Sequence, residues 1–158
     1  MVGFLKISAI TMSVLVLVFL YRFKKMGIES EGIDPKLGVE NGVLKPCGDK
    51  PNCSSSTHKD EKFRVEVLKY SQDLALVRPM IEKILNDLEI TILQSESNYL
   101  YGIHKSKFWG FVDDVELQFN ANTKEIHFRS ASRVGYSDLG VNKKRLTKII
   151  EEIKLLKL

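Results

Sequence analysis

Two stretches hold most of the residues able to do chemistry. FVDDVELQFN, beginning at residue 111, sets the carboxylates Asp113, Asp114 and Glu116 among apolar neighbours. RSASRVGYSDLGVNKKR, beginning at residue 129, packs Arg129, Ser130, Ser132, Arg133, Tyr136, Ser137, Asp138 and Asn142 between an apolar strand and a terminal helix. Carboxylates serve as general bases or ion-pair partners, and arginine forks grip carboxylates and phosphates. Glycines at 135 and 140 let the intervening backbone turn tightly and present its amides. These eleven side chains are the candidate ligand site, for a polar and anionic ligand.

Alternation places Asp113 on the apolar face of its strand with Phe111, Val115, Leu117 and Phe119, and leaves Asp114 and Glu116 on the other face. A carboxylate on an apolar face has to be paired, hydrogen-bonded or protonated, because burying it alone costs several kcal/mol. If this strand forms a hairpin with the next one through the loop 121–124, Glu116 faces Arg129 and Asp113 faces Ser132. A register shifted by two residues sets Asp114 opposite Arg129, so Arg129 meets a carboxylate either way. Arg133 has no such assigned partner. Beyond the strand a conflict appears. With Asn142 as N-cap of the last helix, Lys143, Lys144 and Arg145 fill a first turn whose dipole prefers acids. An anion held by Arg133 and the helix start would repair it. The alternative starts the helix at Ser137 and leaves the basic triplet on a solvated face, with Lys148 paired to Glu152.

Cys47 and Cys53 are the only cysteines and lie in the turn-rich PCGDKPNCSS. Such a setting lets them approach to disulfide distance, a bridge worth about 2 kcal/mol that belongs to an oxidising compartment. Zinc held with His58, or two idle thiols, are the other readings, and no repeated CxxC pair is present.

The elements that must position these residues follow from periodicity. Phe63, Val65 and Val67 alternate as a strand, and a helix capped by Ser71 runs to about Leu88 with Pro79 inside it. Strands over 90–94, 99–105, 111–119 and 125–131 form a meander, and Leu146, Ile149, Ile150, Ile153 and Leu156 mark a closing helix. The expected fold is α+β, an antiparallel sheet of about four to five strands with two helices packed on one face. Phe108, Trp109 and Phe111 read as core, with membrane or ligand contact as the other possibility.

The chain has 158 residues, 44% apolar and 28% charged. That is enough for one core and an appendage. Residues 7–21 carry no charge, and with Lys6 snorkelling, residues 2–21 just reach the roughly 20 that span a bilayer. The bulky, basic YRFKKMG that follows offers no signal-peptidase site, so an uncleaved N-terminal transmembrane helix is expected. The division is then 1–25 anchor, 26–45 linker and 46–158 α+β domain. Residues 1–25 contain four basic and no acidic residues, and of the 24 basic residues in all, the 20 others balance the 20 acidic ones. The soluble part is formally neutral, which argues against nucleic acid as a partner. Arg22, Lys24 and Lys25 outweigh Lys6 and the amino terminus by one charge, a slight preference for a cytoplasmic domain.

PCGDKPNCSS, FVDDVE and RSASRVGYSDLGVN together resemble the domain-of-unknown-function family DUF1499 over about residues 46–154. The resemblance implies bacterial or plastid proteins that frequently carry an N-terminal export signal or anchor. It therefore favours the disulfide and an extracytoplasmic, periplasmic domain on a single-pass membrane protein. It implies no established reaction. The functional expectation is a membrane-anchored, non-enzymatic module for an anionic small molecule or lipid headgroup. A hydrolase using Asp113 or Asp114 as base with Arg133 at an oxyanion is the alternative, as is a protein-interaction domain with an apolar patch at Trp109. Whether the protein is an enzyme stays open.

Overall fold

A computed structural model describes residues 2–158, with side chains from residue 10 onward. Three helices, α1 (Val2–Glu31), α2 (Leu74–Asp87) and α3 (Val141–Leu155), accompany eight strands. These are β1 (Val39–Glu40), β2 (Val43–Leu44), β3 (Cys53–Ser55), β4 (Leu68–Lys69), β5 (Ile90–Glu96), β6 (Tyr99–Lys105), β7 (Val112–Asn120) and β8 (Glu125–Ser132). The main sheet runs β3-β8-β7-β6-β5 with antiparallel ladders, and β4 shares the outer edge of β8 with β3.

The α+β class and the β5 to β8 meander match the expectation, and the β7/β8 register pairs Glu116 with Arg129 and Asp113 with Ser132. The strand count does not match. The sheet has six strands, because β3 and β4 are short edge segments whose partner is β8 and not a hydrophobic period of their own. Ser54 and Ser55 of β3 are buried although polar, and over 63–67 only the bridge from Arg64 to Ser55 forms. The edge is made instead by Leu68 and Lys69, against Ile126 and Glu125.

Amphipathic α2 and α3 bury Val77, Ile81 and Leu85, and Leu146, Ile149, Ile150 and Ile153, against Leu100, Val115, Leu117, Phe119, Ile126 and Phe128 of the sheet. Asp73, not Ser71, caps α2, its carboxylate accepting the Ala75 amide at 2.9 Å. The helix continues through Pro79 because its buried stripe outweighs one missing donor.

The opposite face of the sheet is covered by residues expected to be a linker. Asn41 and Gly42, both at positive φ, turn the β1–β2 hairpin as the primed hairpin turns require. The hairpin lies over β7, where the Gln118 amide donates to the Gly42 carbonyl at 2.9 Å and the Gly38 amide donates to Glu116 at 2.7 Å. Leu44 packs against Tyr99 and Tyr101.

The N-terminal expectation is overturned. Among the described residues no helix is long and apolar enough to cross a membrane. The charge-free run over 7–21 falls short of a span, and the helix containing it continues unbroken through Arg22, Lys24, Lys25 and Glu29 to Glu31. The side chains of residues 1–9, the first part of the expected anchor, lie outside those described. The far end of α1 is docked on the domain. Gly27 touches the Trp109–Gly110 backbone, the Val112 amide donates to Ser30 Oγ at 3.0 Å, and Lys24 Nζ donates to the Phe108 carbonyl at 2.8 Å. Phe23 lies edge-on to Trp109 and Phe111, with centroids 5.5 and 5.9 Å away.

Candidate functional site

The chemistry-bearing side chains gather at the end of the sheet where β7 begins and β8 ends, divided between its two faces by strand alternation. Asp114 and Glu116 point toward the hairpin side, and Asp113 points toward α3. Each carboxylate meets an arginine. Glu116 is ion-paired with Arg129, Asp114 with Arg133 at 2.9 Å, and Asp113 with Arg145 at 2.7 Å. All six side chains are nine-tenths or more buried.

On the hairpin side, tyrosines from β6 complete the network. Tyr99 donates to Glu116 Oε1 at 2.7 Å, and Tyr101 donates to Asp114 Oδ1 at 2.9 Å. Burial, and then the carboxylate each hydroxyl faces, pushes both phenols up, Tyr101 to about 12. Arg133, which the sequence leaves without an internal partner, has all five of its donors in use. Nε and Nη2 hold Asp114, Nη2 also reaches the Tyr101 hydroxyl at 2.9 Å, and Nη1 donates to the Ser30 and Glu31 carbonyls at the end of α1. A cation at a helix C-terminus is where the macrodipole favours it. Arg129 is different. Its Nη1 is engaged with Glu116, its Nε is buried with no partner, and its Nη2 makes no hydrogen bond among the described residues.

On the helix side, Arg145 Nη1 donates to Asn142 Oδ1 at 2.6 Å and Ser130 Oγ at 3.1 Å, and its Nη2 reaches His104 Nδ1 at 3.2 Å. Since arginine can only donate, His104 accepts on Nδ1 and carries its proton on Nε2. Burial first, and the Arg145 charge second, lower the His104 pKa below the usual histidine range. Asn142 is not the cap of α3 but a buried hub. It also donates to the Asn52 carbonyl and to Ser132 Oγ, both at 2.9 Å, and accepts from Ser130 at 2.6 Å. Gly140, in the left-handed conformation at φ 82°, takes the N-cap position. The Asp138 carboxylate accepts the Gly140 amide at 2.9 Å and the Asn142 amide at 2.8 Å. The start of α3 thus has a carboxylate from within the chain, while Arg133 is engaged elsewhere. Lys143 turns away to the Glu61 and Lys62 carbonyls, and Lys148 pairs with Glu152.

Two cavities flank this network. A polar one of about 530 Å³ on the hairpin side is walled by Asp114, Arg129 and Arg133, by Ile33 to Leu37, and by Asp49, Lys50 and Asn52 of the loop clipped by the Cys47–Cys53 disulfide. The second, of about 650 Å³, lies on the helix side between Phe23 and Met26 of α1, Trp109 and Phe111, and the segment carrying Tyr136, Ser137, Asp138 and Leu139, with Asp113 and Ser132 in its wall. The candidate residues are thus near one another in sequence but divided in space. Glu116, Ser130 and Asn142 line neither cavity. Tyr99, Tyr101, His104 and Arg145 were not among the candidates. The signal in the sequence that points to the tyrosines is the alternation of Tyr99 and Tyr101 along a strand beside the acidic side of β7.

Asp114 is poorly placed to act as a general base, because both its oxygens are occupied by Arg133 and Tyr101 while a base needs a lone pair open to substrate. The disulfide consumes both thiols, and among the described residues no three His, Cys, Asp or Glu side chains are grouped to hold a metal ion. No curated protein matches the chain. The family described as "Protein of unknown function (DUF1499)" matches residues 43–153, which takes in the hairpin's second strand, the disulfide, the whole main sheet and most of α3, and to this family the chain belongs.

Proposed function

We propose that the domain is a non-enzymatic binding module for a small polar ligand that offers an anionic oxygen group to Arg129 in the cavity on the hairpin side. One observation carries the reading: Arg129 is buried at the cavity wall with only Nη1 committed, so a guanidinium already desolvated still has donors to give. Desolvated, charge-assisted hydrogen bonds of this kind are the strong ones, and the cavity's size falls in the range of ordinary small-molecule sites. Lys36 and Lys50 stand in the same wall but are balanced by Asp34 and Asp49, so selectivity rests on the Arg129 geometry more than on net charge. Arg133, saturated by the fold, is a positioning residue. The Cys47–Cys53 disulfide supports an oxidising, extracytoplasmic compartment for the domain. Labelling of the cysteines in intact cells by a membrane-impermeant thiol reagent only after reduction is the expected result; labelling after lysis without reduction rules that placement out.

The binding test is a thermal-shift panel on the full chain with inorganic phosphate, glycerol 3-phosphate and di- and tricarboxylates. A ligand at 100 times its Kd adds about 2.7 kcal/mol of stability. The matched control is Arg129→Met with Glu116→Gln, which removes both charges together and leaves no buried ion alone. At least one anion should stabilise the wild type and not this variant. If no anion stabilises the wild type more than the double variant, the reading fails.

A further inference from the structure

The second cavity differs in chemistry from the first. Its walls are aromatic and aliphatic, and its titratable lining residues are Asp113, Asp138 and Tyr136, with no lysine or arginine among them. Two features there bear on a ligand. The Asp113 side chain is nine-tenths buried and gives Oδ2 to Arg145, while its Oδ1 accepts no hydrogen bond among the described residues. At the rim, Leu139 is 88% exposed and its φ is positive, in the left-handed region. In that conformation a Cβ crowds the following carbonyl, and a leucine rarely takes it. The turn that sets this backbone also brings Asp138 to the start of α3, yet the leucine side chain on it stays in water and buries nothing. Disfavoured conformations of this kind concentrate at ligand clamps.

We propose that this cleft binds an apolar molecule carrying one terminal hydrogen-bond donor, with its body between Trp109 and Leu139 and its donor on Asp113 Oδ1. An ammonium is preferred over a hydroxyl, and a carboxylate is rejected, because the only acids and bases lining the cleft are acids or a phenol. Arg145 behind Asp113 holds the carboxylate fixed, so that its free oxygen is in position before the ligand arrives. The site is on the other face of the sheet from Arg129 and takes ligand of the opposite charge preference, so it stands or falls separately from the anion site.

The test uses octylamine, 1-octanol and octanoate on the full chain. Binding is followed by the fluorescence of Trp109, the single tryptophan, which lines the cleft. Octylamine should bind at least about tenfold more tightly than octanoate, the scale of one charge-assisted hydrogen bond, with octanol between them. Asp113→Asn should erase most of that preference. Since a change at a buried carboxylate can harm folding, Leu139→Gly supplies the second variant. Glycine suits the positive φ and removes the apolar rim, so the protein should stay folded while octylamine binding weakens several-fold. Octanoate binding as tightly as octylamine, no saturable response to any of the three, or an octylamine affinity untouched by Leu139→Gly would each overturn the proposal.

Discussion

Gly27→Ala asks whether the end of α1 is a structural part of the domain. An alanine Cβ at this position falls 1.9 Å from the Trp109 carbonyl oxygen and 2.8 Å from its carbon, where real Cβ contacts do not come below 3.0 Å. The obstacle is backbone, so no rotamer relieves it, and α1 has to retreat by about 1 Å. A retreat of that size carries Ser30 Oγ, now 3.0 Å from the Val112 amide, out of hydrogen-bonding range. Val112 is fully buried, so its amide finds no water in exchange, a loss of about 1–3 kcal/mol. Helix propensity works the other way, since alanine is better than glycine in a helix interior by about 1 kcal/mol. The balance is a destabilisation of up to about 2 kcal/mol, or up to roughly 8 °C in Tm for a domain of this size. Trp109 reports the event directly, because Phe23 of α1 packs edge-on against it and undocking exposes the indole to water. Thermal unfolding and the Trp109 emission maximum are the measurements, with Gly32→Ala as the control, since there the nearest atom stands 3.8 Å from the added Cβ. A Gly27→Ala protein with the Tm and emission of wild type would refute the docking of α1.

Two further predictions concern the buried pairs. Arg133→Met strands the Asp114 carboxylate, 4% exposed, and should cost about 3–5 kcal/mol in urea denaturation. Adding Asp114→Asn should recover at least about 1 kcal/mol of that loss, a coupling within the range for contacting residues, and strictly additive losses would show that the pair is not coupled. His104 supplies a pH signature. Its folded pKa lies below the ordinary value of about 6.5, so as pH falls below 6.5 the unfolded chain takes up a proton that the folded chain resists. Stability contributed by neutral His104 is therefore full above pH 6.5 and declines as pH drops toward the folded pKa, no more steeply than about 1.4 kcal/mol per pH unit for one proton. The difference in unfolding free energy between wild type and His104→Gln, followed from pH 7.5 to pH 5, should narrow on acidification. A difference that stays constant would mean that His104 protonates as easily in the folded state as in the unfolded one.

The meander and the β7/β8 register were legible because period-two alternation is a local property, and a short loop leaves few ways to match two apolar faces. The partner of Arg129 was legible for the same reason. Arg133 was not, because its partners come from three separate places: Asp114 on β7, Tyr101 on β6, and the carbonyls closing α1, more than 100 positions away in sequence. Strands β3 and β4 were hidden because β3 is a run of small polar residues and β4 is only two residues long, both made strands by the edge of β8. The reading of residues 26–45 as linker followed from glycine and polarity, yet glycine also permits close approach, which is how Gly27 and Gly38 are used. Asp138 is among the candidate ligand residues in the sequence; its place as the carboxylate at the start of α3 depends on Gly140 turning the chain through the left-handed region.

The basic residues sort by what the fold has already done with them. Arg133 closes α1 and locks Asp114, and Arg145 fixes Asp113, orients His104 and satisfies Asn142. Arg133 has no donor to spare for a ligand without breaking a buried bond, and Arg145 has both Nη groups committed. A ligand that competed for Arg133 would have to displace Asp114 and leave a carboxylate uncompensated in the interior, at a cost of about 3–5 kcal/mol. Recognition is cheaper where the network is incomplete, and it is incomplete on opposite faces of the sheet, at the uncommitted donors of Arg129 on one and at Asp113 Oδ1 on the other. Two sites of opposite preference on one rigid frame follow from that. Saturating one should leave affinity at the other nearly unchanged, because the pairs between them are already closed and have no second arrangement to adopt.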